Sequence, residues 1–506
     1  MELEKYIQTS GPLFEDVQKS SLFSDAKTFT DADPLREPKE IMACYFREKK
    51  KARFDLKSFI NKHFTLPHEQ EKGLTRARNM EDYIDEMWGI LEKKMTSPSP
   101  YSTLISLPKP HVVPGGRFRE CFYWDSYFTA LGLLVSGQIE RIKNMVINFS
   151  FLIERFGFIP NGNRIYFTSR SQPPYFSYLL KMLLECEQEE WALSFAPQLE
   201  AEYHFWMRGM ETLVANHTAT LHIVRIDHRT FLNRYYDALD IPRPEAYKRE
   251  IALAQEQGSS LGFFRNRRAA CASGWDFSSR WLRKPEGMKS IRALDLVPID
   301  LNCLLYHLET TLSDFFHRLK AFDKKKRYAL AARHRKEAIQ RIFWNREKQF
   351  YFDYDFKGQT HTSTWSLAGV FPLFNRIASV RQAEAVSKHL KRSFLCAGGF
   401  TTSLDDGMMH QWDHPNGWAP LQWITISALF KYRKRSLAKE AMRRWLMLNR
   451  DIFDQVGTMF EKYNVCDCSF STTGSEYQMQ EGFGWTNGVN LALIELQKNP
   501  KLKIGY

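Results

Sequence analysis

No stretch of the 506 residues comes near the ~18 consecutive apolar side chains that a membrane-crossing helix requires, so the chain is expected to have no membrane partner. Its first residues, "MELEKYIQTSGPLFEDVQKSS", are acidic and polar and contain no apolar core of signal-peptide length. A cytoplasmic location is the expectation that follows. Cysteine is sparse and scattered: there are eight, and only Cys466 and Cys468 are close in sequence. A lone C-x-C is a poor zinc site, and a chain this long needs no disulfide framework, so reduced thiols are expected. The serine-hydrolase elbow G-x-S-x-G is missing, "PGGRF" has neither P-loop nor dinucleotide-binding spacing, and zinc-finger and RNA-binding signatures are absent. Strand signals are few, and no low-complexity linker divides the chain.

Aromatic residues are plentiful, at 14% with thirteen tryptophans, and the 43% apolar content is ample for a core. The net charge of +13 invites a nucleic-acid reading, but much of it lies in helical runs such as "FDKKKRYALAARHRK" (Phe322 to Lys336) and "KYRKRS" (Lys431 to Ser436). Runs of that kind read as solvated helix faces, and no nucleic-acid partner is expected. Between Gly137 and Gly157, Ile139, Ile142, Met145, Val146, Phe149, Leu152, Ile153 and Phe156 recur in three- and four-residue steps, which predicts one helix closed by a glycine. Similar segments run over Phe176–Met207, Asn302–Trp344, Val380–Leu395, Ala419–Tyr432 and Ser436–Phe453. "QFYFDYD" (Gln349 to Asp355) alternates and predicts a short hairpin outside the helical body. The expected organisation is all-α: residues 1–60 wrap a larger body, and 61–506 form a single helical domain, as a monomer.

Loops dense in Gly, Pro, Trp, Asp, Asn and Arg recur between these helices. They are "PGGRFRECFYWDSY", "PNGNRIYFTSRSQPP", "RPEAY", "SGWDFSSRW", "QWDHPNGWAP" and "GSEYQMQEGFGWTNG". A ring of helical hairpins would return the chain repeatedly to one end, where such loops line a pocket. Sugars present hydroxyls that Asp, Glu, Asn, Gln and Arg bind, and C–H faces that lie against aromatic rings, so this inventory suits carbohydrate. Cleaving a glycoside needs two carboxyl groups, and the acid must keep its proton near neutrality in an apolar setting. Asp276, between Trp275 and Phe277, fits the acid; Asp125 and Asp413, each beside a tryptophan, are rivals. Glu461, Glu476 and Glu481 are candidates for the base, and composition does not rank them. His410 and His414 flank Asp413 at i, i+4, but Pro415 and Gly417 oppose a helix there, so no metal is expected.

"PGGRFRECFYWDSYF" and "QWDHPNGWAP" closely resemble the two signature motifs of the trehalases, inverting glycosidases of family 37. "PNGNRIYFTSRSQPP", "RPEAY", "SGWDFSSRW", "EKYNV" and "EGFGWTNGV" follow in the family's order, and with the weaker match of "LFSDAKTFTDADP" the resemblance runs from about Leu22 to Leu496. It implies an (α/α)6 barrel and hydrolysis of α,α-trehalose to two glucose molecules without cofactor or metal. By position it implies Asp276 as general acid and Glu461 as general base. The implied substrate-binding residues are Arg117, Phe118, Trp124, Asp125, Asn161, Arg170, Gln172, Arg243, Glu245, Gly274, Trp412, Asp413 and Glu476. Trp412 is expected to offer a stacking face and Asp413 a hydroxyl acceptor, with Trp418 packed beneath the wall. The tract "CDCSFSTTGS" departs from the glycine-rich sequence of many relatives, where a lid over the pocket is expected. The alternatives are another α-glucoside, trehalose 6-phosphate, or a non-catalytic sugar-binding role.

Overall fold

The computed structural model describes residues 5–67, 79–94, 98–186, 188–257, 261–283, 286–471, 474 and 476–499. Six of its helices carry apolar or small side chains on nearly every side, a pattern that forces a helix into the interior. They are Tyr123–Val135, Phe176–Glu185, Ile299–Arg318, Phe371–Phe374, Ala419–Lys431 and Gly484–Lys498. Each packs on the next in that order, and the last closes on the first. The closure is tight because Gly488 lets helix Gly484–Lys498 approach Tyr123–Val135: a Cβ there would lie 2.2 Å from the Phe128 carbonyl oxygen.

Six amphipathic helices surround this ring: Met80–Leu91, Ile139–Phe156, Ala196–Met207, Phe322–Ile342, Val380–His389 and Arg435–Val456. Five lie on inner helices, and Val380–His389 packs on the strand Phe350–Tyr351. Helix Phe322–Ile342 buries Tyr328, Ala332, Ala338 and Ile339, while its lysine run faces solvent. Not every basic residue of the expected solvated stretches is solvated: Arg335 is buried against Glu309, and Lys431 donates to the Phe374 carbonyl. Inner and outer helices alternating along the chain make the (α/α)6 barrel. Among the described residues, no helix is long and apolar enough to cross a membrane.

Several element boundaries differ from expectation. The Phe176–Met207 segment is three helices, Phe176–Glu185, Glu189–Leu193 and Ala196–Met207, the last accommodating Pro197 in its first turn. The Asn302–Trp344 segment is two, because the chain reverses at Lys320, whose φ is +59°. The Val380 helix ends at His389 and passes through a wide turn, Leu390–Phe394, into the strand Leu395–Cys396. Gln349–Asp355 is not one hairpin. Phe350–Tyr351 pairs with Trp344–Asn345, whereas Tyr354–Asp355 lies between Thr360–His361 and Leu296–Val297. Alternation marks a strand but does not choose its partner.

Near the N-terminus, helices Pro12–Ser20, Pro38–Glu48 and Leu56–His63 share an apolar cluster of their own, which includes Phe14, Ile41, Tyr45 and Phe59 and runs on to Phe64. Buried Lys27 joins this segment to the barrel by pairing with Asp31 and with Glu120 at 2.8 Å. The tryptophan-rich tracts noted above all fall in connections that run from an outer helix to the next inner one. They converge at the end of the ring where the inner helices begin.

Candidate active site

A cavity of about 520 Å³ opens at that end, a size suited to a small ligand. Fourteen of the fifteen expected residues line it, among them Arg117, Phe118, Trp124, Asp125, Asn161, Arg170, Gln172, Arg243, Glu245, Gly274, Asp276 and Trp412. Glu461 and Glu476 line it too, and only Asp413 does not. Trp124 and Asp125 stand in the first turn of Tyr123–Val135, and Trp485 in that of Gly484–Lys498. Gly274 is required where it stands: its φ is +77°, and a Cβ would lie 2.6 Å from the Trp124 ring.

Asp276 follows the helix Phe263–Ala272 in a loop held by Gln411, whose side-chain amide donates to the Asp276 carbonyl. Its side chain is 31% exposed, on a cavity wall. Burial raises its pKa to about 6; Arg243, 3.8 Å away, opposes the rise and Glu476 adds to it. Roughly a tenth of the carboxyl then stays protonated at pH 7, against well under a hundredth for an ordinary aspartate.

Glu461 sits in a different setting. Lys462 Nζ approaches its Oε2 at 2.9 Å, Tyr477 donates to its Oε1 at 2.5 Å, and all of this is walled by aromatic rings. Both oxygens of the carboxylate are thereby engaged, one by a charge-assisted bond. Asp125 also lines the cavity; burial pushes its pKa well up, and the nearby Glu461 and Asp276 charges add to the effect.

The arginines are each neutralised by carboxylates. Arg117 grips Asp25 with two bonds, at 2.7 and 2.8 Å, and lies 4.7 Å over the Tyr477 ring. Arg170 pairs with Asp237 at 3.2 Å and Glu245 at 3.3 Å and donates to Asn161. Arg243 pairs with Glu250 at 2.5 Å. Gln172 accepts from the Trp124 backbone at 3.1 Å, which seats that helix start. Phe118 meets Phe122, Tyr477 and Phe483 edge-on.

Two expected roles change. Asp413 is fully buried and accepts from the Ser278 hydroxyl and from the Ser279 amide and hydroxyl, so it ties the wall loop to the Asp276 loop rather than offering an acceptor to a ligand. Trp412 borders the cavity but is only 2% exposed. Trp418 lies flat against it, 3.8 Å between centroids, and Trp275 stacks 5.5 Å away, which leaves little open face for a sugar. Trp418 is the packing residue beneath the wall, as expected. Of the tract expected to cover the pocket, Thr472, Thr473 and Ser475 lie outside the described residues.

Sequence reasoning missed Lys462, Tyr477, Asp25 and Trp485. The strand Asn416–Trp418 pairs with Lys462–Asn464, placing Trp418 opposite Lys462. This pairing joins the "QWDHPNGWAP" tract to the segment that carries Glu461. The signal available was adjacency alone: Lys462 follows Glu461, and Tyr477 follows Glu476.

The trehalase family model matches residues 21–498. The chain belongs to the trehalase family. The periplasmic trehalases of Salmonella paratyphi B and Salmonella agona are each 40% identical to it over 490 residues, covering 96% of this chain and 85% of theirs. Neutral trehalase from Saccharomyces cerevisiae superposes with a TM-score of 0.62 at 26% identity, over 77% of this chain and 74% of that one. The mannosylglycerate hydrolase of Thermus thermophilus shares the fold, with a TM-score of 0.55 at 15% identity over 82% of this chain and all of its own. A glycoside hydrolase of this family is thus an enzyme whose barrel and loop order match the expectation. The cytoplasmic location does not stand: relatives matching nearly the whole chain are periplasmic proteins.

Proposed function

We propose that this trehalase-family protein hydrolyses α,α-trehalose to two glucose molecules with inversion, Asp276 acting as general acid and Glu461 as general base. One observation carries the reading: two carboxyl groups face a single cavity in opposite settings. Asp276 is held toward its protonated form by burial. Glu461 is engaged at both carboxylate oxygens, one by Lys462 and the other by Tyr477. Asp276 protonates the bridging oxygen while Glu461 takes a proton from the water that attacks the opposite face of the anomeric carbon. Asp125 and Glu245 supply hydroxyl contacts, and Phe118 and Tyr477 supply apolar wall. Arg170 positions Glu245 through their 3.3 Å ion pair, and Arg243 stands 3.8 Å from Asp276.

Among the described residues, the guanidiniums lining the cavity, Arg117, Arg170, Arg243 and Arg249, are each paired with a carboxylate, and Lys248, which also lines it, donates to the Ser21 hydroxyl. Trehalose is therefore the expected substrate in preference to trehalose 6-phosphate. We infer the periplasm as its working compartment, on the naming of the relatives that match most of the chain.

Proton NMR of trehalose directly after mixing with the protein tests the mechanism. Equal α- and β-glucose at the earliest times is expected. Formation of α-glucose alone would overturn both roles, since it requires retention.

A further inference from the structure

Cys396, His414 and Cys466 are far apart in the chain, and Cys396 alone is 70 residues from Cys466. Cross-strand pairing brings them together outside the cavity. Asn416–Trp418 runs against Lys462–Asn464, and the Val465 amide bonds to the Pro415 carbonyl at 3.1 Å, which sets His414 beside Cys466. The hairpin Leu395–Cys396/Gly399–Phe400 docks on the same layer, with the Gly398 amide 2.7 Å from the Val465 carbonyl. Cys466 Sγ ends 2.8 Å from Cys396 Sγ and 3.3 Å from His414 Nε2, and the three ligand atoms all lie within 4.8 Å of one another. Each residue is half-buried.

We propose that Cys396, His414 and Cys466 form a binding site for a soft divalent cation of the zinc class, separate from the catalytic carboxylates. Two thiolates and an imidazole are the donor set that such ions select. The Sγ–Nε2 separation already suits a shared ion. The two sulfurs must spread to ~3.7 Å, the tetrahedral edge for Zn–S bonds of about 2.3 Å, a change that rotation of either side chain provides. Cys468 lies two residues on, exposed, on the turn that Asn464 caps through the Cys466 and Asp467 amides. It or a water completes the coordination. The bound ion would pin three segments together: the Cys396 hairpin, the loop carrying Trp412, and the strand that follows Glu461. Its role is structural, and the proposed hydrolysis does not pass through it.

A disulfide between Cys396 and Cys466 is the rival outcome, and cobalt separates the two. The full-length protein, purified with a phosphine reductant, is titrated with Co²⁺ and then with Zn²⁺. One equivalent of Co²⁺ per chain is expected, with thiolate charge-transfer and tetrahedral d–d absorption that Zn²⁺ displaces. The bands should vanish in Cys396→Ser, Cys466→Ser and His414→Ala and persist in Cys186→Ser. Should a variant fail to fold, alkylation of the wild type mapped by mass spectrometry replaces it: Zn²⁺ should shield Cys396 and Cys466 but leave Cys186 reactive. Absence of tetrahedral bands in the reduced protein, or equal alkylation with and without Zn²⁺, would overturn the site. So would a Cys396–Cys466 disulfide in the isolated protein together with no Co²⁺ uptake after reduction.

Discussion

Two residues lining one cavity carry the same functional group in different settings. Asp276 has desolvation and an arginine at 3.8 Å; Glu461 has a lysine at 2.9 Å and a phenol at 2.5 Å. Burial by itself favours the neutral acid, and a close cation or hydrogen-bond donor opposes that preference. The contrast supports the proposed roles, and variants can erase either half of it.

The largest loss is expected from removing either carboxyl. Asp276→Asn and Glu461→Gln should each lower kcat by ~10²–10⁴-fold, the range for general acid–base catalysis, with circular dichroism unchanged. Activity within a few-fold of wild type in either variant would end the assignment. Next comes Tyr477→Phe, which takes one donor from the Glu461 carboxylate. A hydrogen bond to a charged group contributes roughly 1.5–3 kcal/mol, so kcat/KM should fall by ~10- to 100-fold while the Asp276 limb of the pH profile stays in place.

The pH profile sharpens the acid side. Asp276 must be protonated to act, so kcat/KM should decline as pH rises through about 6. Glu476→Gln removes a repulsive charge and should move that limb to lower pH; Arg243→Met removes an attractive one and should move it to higher pH. Shifts of the same sign would contradict the electrostatic account. Stability follows the same logic. The Asp276 pKa is raised on folding, so ionisation disfavours the fold as pH climbs from about 4 toward and beyond about 6. Asp276→Asn should accordingly melt above wild type at pH 8 and not at pH 3.

The smallest kinetic effect is expected at Asp413, whose carboxylate joins the Trp412 loop to Ser278 and Ser279. Asp413→Asn should lower the thermal midpoint and leave KM for trehalose within a few-fold. A large rise in KM with an unchanged midpoint would return Asp413 to the sugar.

Much of the barrel is written in short-range pattern. The apolar periodicity of Ile139–Phe156, with Gly157 in the left-handed region at its end, is a property of eighteen neighbouring residues and needs no partner to be seen. The Trp–Asp loops are legible for a related reason: their composition is useless to a core and useful to a pocket. Asp276 and Glu461 could be named as candidates from residue type and ranked by resemblance. What surrounds them depends on how the strands and loops meet. Lys462 faces Trp418 because two segments some forty residues apart pair in one register. The Asp413 carboxylate turns to Ser278 because the loops that enter two inner helices converge at one end of the ring. Cys396, His414 and Cys466 form a cluster through the same convergence. The sequence by itself determined the helices, the loop inventory and the family. Only the tertiary structure decided which carboxyl has a cation beside it, because hydrophobic periodicity is local while charge pairing depends on distance in space.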